Sequence, residues 1–284
     1  MKAKKSLGQN FLKSEPALKK IIEAGEIKNT DTILEIGPGK GALTKQLLAS
    51  SCKLIAVEKD KELYELLKNK FQEETSSGQL NLINDDILKF NLENYKLGAR
   101  SYKLIANIPY NITGAILKKF LTEKNQPSLM VLMIQHEVAK RIVANNKKES
   151  ILSISVKAYG EPKMIMKVPA RYFSPAPKVD SAIIAIKNIS RKFFTNNTSP
   201  QPSPYKGEGG NKTVQDKNLN SRAFEKKFWE IVKTGFAHKR KKLSGNLKTL
   251  KFLEKSTLES LGNKRAEDLT LSDWVKLAKI STKS

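Results

Sequence analysis

Two short segments of this 284-residue chain carry residue types that could hold a methyl donor beside a heteroaromatic amine. The first, Glu35-Ile-Gly-Pro-Gly-Lys-Gly41, is a glycine-rich turn that follows an apolar strand. The second, Asn107-Ile-Pro-Tyr110, places a carboxamide, a proline and an aromatic ring in succession. Each segment alone is also typical of an ordinary tight turn. Their order, their separation and the basic chain around them favour the chemical interpretation.

The glycine turn suits a ligand without phosphate. Gly37, Gly39 and Gly41 alternate, whereas the third glycine of the dinucleotide fingerprint comes one residue later. Glycines let the backbone approach a ligand closely. Glu58 and Asp86 end the next two predicted strands, where carboxylates could accept hydrogen bonds from a ribose diol and an adenine amine. Ribose and adenine without phosphate describe S-adenosylmethionine; the alternative is a tight turn with two surface carboxylates.

The Asn107 segment suits an aromatic amine, which is a poor nucleophile because its lone pair is delocalised into the ring. A side-chain carbonyl and a backbone carbonyl can accept both amine hydrogens, which localises the lone pair and directs it at a methyl group. Pro109 fixes its own φ and favours an extended Ile108, and Tyr110 can stack on a base. These features predict catalysis by positioning and polar preorganisation, without a metal or a covalent intermediate.

Two further segments have open interpretations. Phe173 begins the segment that leads into the last predicted strand, and it could be a second aromatic face on a base or a core anchor for an irregular loop. Near the N-terminus, Gln9 and Asn10 lie between Lys5 and Lys13, in a turn that could close over the donor.

The charge of the chain indicates a polyanionic partner. It has 52 Lys and Arg against 28 Asp and Glu, a net charge of +24. Such an excess destabilises a compact fold and commonly serves phosphate binding; a lysine-rich proteome is the alternative cause. One run combines six cations with no acid: Lys233, Lys239, Arg240, Lys241, Lys242 and Lys248. This run suits phosphate contacts or a solvated helix face.

Several classes of protein are excluded. Cys52 is the only cysteine, and the two histidines, His136 and His238, lack ligand spacing, so we expect no disulfide within the chain and no metal site. Residues 1–7 are basic without the apolar core of a signal peptide. The longest apolar run, at residues 129–134, is too short to span a bilayer. The sequence therefore predicts a cytoplasmic protein with no membrane partner.

Strands and helices alternate from about residue 14 to residue 120, and a further strand and helix follow, which predicts a doubly wound, mostly parallel α/β sheet with right-handed crossovers. Ligands of such sheets bind beyond the carboxyl ends of the strands, where the candidate residues lie. A stretch rich in Pro, Gly and Ser interrupts the chain before a helical C-terminal region, in which Thr270 and Asp273 form a capping box. We predict a methyltransferase domain at 1–190, a linker or insertion at 191–222 and a small all-α RNA-binding domain at 223–284.

Four motifs occur in the order found in the ribosomal RNA adenine dimethyltransferases: Gly8-Gln-Asn-Phe-Leu12, Glu35-Ile-Gly-Pro-Gly39, Asn107-Ile-Pro-Tyr110 and Pro177-Lys-Val-Asp-Ser181. The chain resembles this family from Lys4 to about Lys279, and the small-subunit (KsgA) branch most closely. The resemblance implies a Rossmann-like class I methyltransferase fold. It also implies S-adenosylmethionine-dependent dimethylation of two adjacent adenines near the 3′ end of small-subunit rRNA, in ribosome biogenesis.

The resemblance also assigns roles by matching positions. It implies donor contacts at Asn10, Leu12, Glu35, Gly37, Gly39, Glu58, Asp86 and Asn107. It implies contacts with the target base at Asn107, Ile108, Tyr110 and Phe173. Asp86 is preferred to Asp85 because Asp86-Ile-Leu-Lys-Phe90 fits the family spacing better. The expected partner is small-subunit rRNA in a partly assembled 30S subunit, and nothing requires more than a monomer.

Three alternatives are weighed against this interpretation. Ile108 stands where small-subunit enzymes commonly have Leu and large-subunit, macrolide-resistance relatives often have Ile, although the Gly8 and Pro177 motifs favour the small-subunit branch. An RNA-binding assembly or transcription factor on a retained methyltransferase fold predicts a damaged donor site, whereas the donor residues are present. A dehydrogenase is disfavoured by the glycine spacing.

Overall fold

The structure is a computed structural model that describes residues 3–144, 148–196 and 214–280. The chain forms two compact units, Met1–Val143 with Gly160–Ser190, and Ala144–Tyr159 with Arg191–Ser284. The strands are β1 Phe11–Leu12, β2 Thr32–Ile36, β3 Lys53–Glu58, β4 Leu80–Asn84, β5 Lys103–Asn107, β6 Leu129–Gln135, β7 Glu161–Val168, β8 Phe173–Ser174 and β9 Ser181–Lys187. The helices are α1 Glu15–Gly25, α2 Ala42–Leu48, α3 Lys61–Lys70, α4 Gln72–Ser76, α5 Thr113–Thr122, α6 His136–Val143, α7 Ile151–Lys157, α8 Lys192–Asn196, α9 Val214–Gly235, α10 Leu243–Leu247, α11 Lys255–Ser260 and α12 Leu271–Ile280.

The first unit contains a seven-stranded sheet in the order β4-β3-β2-β5-β6-β9-β7. The pairs from β4 to β6 are parallel, and β9 runs antiparallel to both β6 and β7. The predicted doubly wound, mostly parallel α/β fold is therefore confirmed. The chain builds β2, β3 and β4 in one direction and then returns to place β5 on the other side of β2. This reversal opens a crevice at the carboxyl ends of β2 and β5, where such sheets bind ligands.

Helix α1 packs on one face of the sheet because its sequence has both a start signal and an apolar stripe. The Ser14 side chain accepts a hydrogen bond from the Ala17 amide, and Pro16 occupies the first turn. Ala17, Leu18 and Ile21 are buried in one core with strand residues of the same face. Burial of each such Leu or Ile side chain contributes about 1.5–3 kcal/mol to the free energy of unfolding. This burial holds α1 against the sheet.

Gly41 is the N-cap residue of α2, and its backbone is in the left-handed region, at φ +78°. A Cβ atom there would lie 2.6 Å from a Phe71 ring carbon and 2.9 Å from a Leu67 methyl carbon. We expect Gly41→Ala to reduce the free energy of unfolding by about 2–4 kcal/mol, because backbone strain and overpacking add. Urea unfolding of the variant and the wild type measures this loss.

Gly78 provides the matched control for the Gly41 prediction. Its φ is +77°, and a Cβ there would meet nothing within 4 Å. Gly78→Ala should therefore lose only the backbone contribution, about 1–2 kcal/mol. Equal losses in the two variants would contradict close packing around Gly41.

The second unit is helical over its described residues. An aromatic cluster joins Tyr159, Phe194, Phe228 and Trp229, with ring centroids 4.9–6.3 Å apart. Trp274 is fully buried on α12. The predicted capping box is confirmed at the start of α12, since Thr270 and Asp273 exchange backbone amide hydrogen bonds with each other's side chains.

The boundaries of these units differ from the predicted ones. Residues 148–159 belong to the second unit, because Tyr159 packs into its aromatic cluster and Lys148 forms an ion pair with Asp268. Within the predicted linker 191–222, α8 and the first part of α9 are helical. The Pro- and Gly-rich stretch at 198–210 lies outside the described residues. None of the described helices has the length and apolar character needed to cross a membrane.

Candidate active site

A cavity of about 360 Å³ opens at the carboxyl ends of the parallel strands in the first unit. Its walls come from the N-terminal segment, the glycine turn after β2, the ends of β3 and β5, and the loop after β4. All eight residues predicted to contact the donor line it: Asn10, Leu12, Glu35, Gly37, Gly39, Glu58, Asp86 and Asn107. Ile108 and Tyr110 line it as well. The cavity thus brings together residues separated by nearly one hundred positions.

Two backbone amides of the glycine turn donate hydrogen bonds that fix its conformation. The Gly37 amide donates to the Val57 carbonyl at 2.9 Å, and the Gly39 amide donates to Glu58 Oε2 at 3.0 Å. Gly37 has φ +63° and nothing within 4 Å of a Cβ position, so the cavity reaches its backbone. A Cβ on Gly39 would lie 3.1 Å from the Phe11 ring, which leaves glycine as the residue that fits.

Glu58 is a buried carboxylate whose orientation is fixed by backbone donors. It is 6% exposed, and burial raises its pKa. Oε2 accepts from the Gly39 amide and Oε1 accepts from the Asp60 amide at 2.8 Å. Because a carboxylate oxygen has two lone pairs, each oxygen keeps one acceptor site for a hydroxyl of a ligand.

Glu35 lies deeper in the wall, at 1% exposure, and its Oε2 accepts a 2.8 Å hydrogen bond from the Thr44 hydroxyl. Burial raises the pKa of this carboxyl to about 8. The folded protein therefore retains a proton on Glu35 at neutral pH, whereas the unfolded chain releases it near pH 4.3. Glu35 is thus a polar but uncharged part of the cavity wall.

This protonation predicts a pH dependence of stability. The contribution from Glu35 is fully present below the unfolded-state pKa and is lost as pH rises toward 8, since the unfolded chain binds fewer protons over that interval. Glu35→Gln keeps an acceptor for Thr44 and removes the titration. We expect the wild type to lose up to about 1.4 kcal/mol per pH unit relative to this variant. Urea unfolding between pH 5 and 8 measures it; parallel profiles would contradict a raised pKa.

Asp86 is tied to the wall by charge. Lys59 Nζ lies 2.9 Å from its Oδ2, and the Leu88 amide donates to its Oδ1 at 3.0 Å. The lysine contact lowers the pKa of Asp86. Asp85 also lines the cavity, and its Oδ1 accepts from the Asp86 amide at 2.7 Å. The geometry places both carboxylates at the cavity, together with Lys59, which sequence analysis did not single out.

Asn107 ends β5 with its side-chain amide held in place. Its Nδ2 donates to the Asn10 backbone carbonyl at 3.3 Å, which leaves Oδ1 as the acceptor. Ile108 is buried, and Pro109 has φ −59° and ψ 135°, as its ring predicts. The Tyr110 ring is half-buried, and its hydroxyl lies 2.6 Å from Ser181 Oγ.

Phe173 is the predicted site residue that the structure keeps away from the cavity. It is 3% exposed, belongs to the core of the first unit and pairs with Leu12 in the two-stranded sheet of β1 and β8. The ring is packed in the core, as in the second of the two interpretations that the sequence left open. Its neighbour Ser174 lines the cavity in its place.

Asp60 is a positioning residue that sequence analysis missed. Its carboxylate accepts from Gln9 Nε2 and from Lys4 Nζ, both at 2.8 Å, and it caps α3 through the Glu62 amide. These contacts fasten the N-terminal segment across the cavity wall beside Glu58. The sequence signal that could have indicated this role is that Asp60 begins a helix two residues after Glu58, which ends a strand.

Residues 1–199 match the family model described as ribosomal RNA adenine dimethylase. The chain belongs to this family. A ribosomal RNA small subunit methyltransferase A from Dehalococcoides mccartyi (strain CBDB1) is 38% identical to this chain. The match covers 98% of this chain and 88% of the relative. One of the same name from Francisella tularensis subsp. tularensis (strain FSC 198) is 38% identical over 98% of this chain and 97% of its own.

Solved structures confirm the methyltransferase fold. The 23S rRNA methyltransferase ErmE superposes with a TM-score of 0.69 at 22% identity, covering 96% of this chain and all of its own. A dimethyladenosine transferase from Plasmodium falciparum superposes with a TM-score of 0.69 at 25% identity, covering 94% of this chain and 95% of its own. This dimethylase is therefore an rRNA adenine dimethyltransferase, and its family implies S-adenosylmethionine as the methyl donor. The open Gly37 backbone and the free acceptor sites of Glu58 fit that donor.

Proposed function

We propose that this enzyme transfers methyl groups from S-adenosylmethionine to the 6-amino groups of two adjacent adenines near the 3′ end of small-subunit rRNA. One observation carries this proposal: the glycine turn, Glu58 and Asp86 line the same cavity as Asn107-Ile-Pro-Tyr110, at the switch point of the sheet. Relatives named ribosomal RNA small subunit methyltransferase A support the choice of subunit.

The donor would lie along the glycine turn and the ends of β3 and β4. Glu58 would accept hydrogen bonds from its ribose hydroxyls through the lone pairs that the backbone amides leave free. Asp86 would accept from the adenine amine, with Lys59 keeping the carboxylate ionised. Gly37, Gly39 and Glu35 would form the floor, and Asn10 and Leu12 the opposite wall. The donor supplies an electrophilic methyl group on its sulfonium.

The target amine would be held by two acceptors. We assign these to Asn107 Oδ1, which the hydrogen bond of Nδ2 to Asn10 orients, and to the backbone carbonyl of Ile108. Holding both amine hydrogens localises the nitrogen lone pair in line with the methyl group, and such positioning can supply much of the catalysis. The Tyr110 ring would stack on the base. A base contact by Phe173 stays a prediction, and it would require the ring to leave its core.

The basic surface would bind the RNA. The excess of 24 positive charges favours phosphate contacts. Four cations of the run, Lys239, Arg240, Lys241 and Lys242, are exposed between α9 and α10. We propose that the second unit binds rRNA, that the substrate is a partly assembled 30S subunit in the cytoplasm, and that the enzyme acts as a monomer.

One alternative substrate has a specific observation in its favour. Ile108 matches the residue that large-subunit, macrolide-resistance relatives often carry. Purified enzyme should be tested with radiolabelled donor on undermethylated small and large subunits, with the modified nucleotides mapped. Label as dimethyladenine in two neighbouring small-subunit adenines supports the proposal. Label confined to large-subunit RNA would move the enzyme to the other branch, and tight RNA binding without label would indicate a non-catalytic factor.

A further inference from the structure

We infer that Ser181 is a positioning residue for methyl transfer, fixing the plane of the Tyr110 ring on which the target adenine stacks. This inference rests on the proposed function, because it takes Tyr110 as the stacking platform. The motif Pro177-Lys-Val-Asp-Ser181 received no role from the sequence, and the structure places its last residue against the Tyr110 hydroxyl.

The contact itself is short and protected from water. Tyr110 Oη and Ser181 Oγ are 2.6 Å apart, and Ser181 has no exposed surface. Burial raises the pKa of Tyr110, so the phenol keeps its proton and can donate. A hydrogen bond at the far end of the ring restrains the rotations that would otherwise tilt the plane.

Ser181 is held more firmly than Tyr110. It is the first residue of β9 and pairs with Gln135 of β6 on one side and Val168 of β7 on the other. Tyr110 lies instead in a single 3-10 turn between β5 and α5. The hydrogen bond therefore attaches the Tyr110 side chain, which lies in a loop, to the central strand of the antiparallel set β6, β9 and β7. A preorganised site requires this kind of support.

Asp180 fixes the entry of the chain into Ser181. Its backbone carbonyl accepts from the His136 amide at 2.9 Å, and its carboxylate accepts from the Ala170 amide at 3.0 Å. Lys167 also forms an ion pair with it at 2.9 Å. These contacts explain why an Asp-Ser pair stands at the start of this strand, since one residue anchors the turn and the other presents a hydroxyl to the ring.

The expected effect follows from a loose ring. Without the hydroxyl of Ser181, Tyr110 samples other planes, and a smaller fraction of bound adenines is aligned with the methyl group. The loss should match one neutral hydrogen bond, about 3- to 10-fold in rate. It should appear in kcat, because donor binding and phosphate contacts do not involve this pair.

The test is a double-mutant cycle of Ser181→Ala and Tyr110→Phe, with two readouts. Single-turnover methyl transfer gives the rate. RNA with 2-aminopurine in place of the first target adenine reports stacking by fluorescence quenching, without any methyl transfer to a 6-amino group. We expect each single variant to lose about 3- to 10-fold in rate and part of the quenching, and the double variant to lose no more than either. Ser181→Thr, which keeps the hydroxyl, should restore both.

Controls separate a positioning role from a structural one. Ser128→Ala removes a hydroxyl bonded to the Tyr102 carbonyl at the opposite end of β6, and should change neither readout. Rate losses that add in the double variant would overturn the inference. So would variants whose defect lies in KM or in affinity for S-adenosylhomocysteine and not in kcat. If the wild type methylates only large-subunit adenines, the proposed substrate fails, while the same cycle on that RNA still tests Ser181.

Discussion

Replacing Asn107 with alanine should reduce methyl transfer by about 10²- to 10³-fold, the loss seen when one preorganised polar group of an active site is removed. Affinity for rRNA should stay nearly unchanged, because the proposed contact of this side chain with the RNA is confined to the target amine. Single-turnover transfer from labelled donor gives the rate, and filter binding of rRNA gives the affinity.

The physical reason lies in the geometry around the carboxamide. Asn107 Nδ2 donates to the Asn10 carbonyl at 3.3 Å, so the free oxygen has one orientation when the amine arrives. Alanine removes the acceptor and leaves the Asn10 carbonyl without this donor. The amine lone pair then stays delocalised in the purine, and its alignment with the methyl group is lost.

Asn81 supplies the matched control for this prediction. It is an exposed asparagine on β4 of the same sheet, away from the cavity wall. Asn81→Ala should transfer methyl groups at the wild-type rate. A wild-type rate in Asn107→Ala would refute the amine-positioning role, and an equal loss of RNA affinity would reassign the residue to substrate binding.

The ends of the strands were predictable because the relevant signals are local. Short apolar runs ending in Gly37, Glu58 and Asn107 fixed where the strands stop, and parallel strands bring their carboxyl ends to one edge. The meeting of these residues at one cavity followed from that rule alone. The resemblance added the expected donor contact of Leu12, which the N-terminal sequence does not indicate by itself.

Contacts between distant segments were not predictable in the same way. Whether Phe173 faces a base or a core depends on its pairing with Leu12, which no local pattern encodes. The clasp of Asp60 on Lys4 and Gln9 also spans more than fifty positions. Residues 148–159 join the second unit, and Tyr159 packs into the aromatic cluster of that unit.

The loop between α9 and α10 carries the second large expected effect. Lys239, Arg240, Lys241 and Lys242 are all exposed, and they form no ion pair with any residue that the structure describes. The loop is held by buried Asn246, whose Nδ2 donates to the Gly235 carbonyl at 2.7 Å and the His238 carbonyl at 3.1 Å. A fixed loop whose four cations form no ion pair with the described residues is suited to bind a phosphate backbone.

Changing these four residues to glutamine should lower the slope of log affinity against log salt by about 3, since each phosphate that the loop neutralises adds roughly 0.7–0.9 to the slope. With a slope change of about 3, the ratio of wild-type affinity to variant affinity is about 10³-fold larger at about 0.1 M salt than at about 1 M salt. Binding titrations across that salt range measure both quantities.

The control removes the same charge from exposed Lys19, Lys45, Lys68 and Lys118 on α1, α2, α3 and α5. If both sets flatten the slope equally, net charge attracts the RNA; an unchanged slope in the loop variant would assign its cations to a solvated surface.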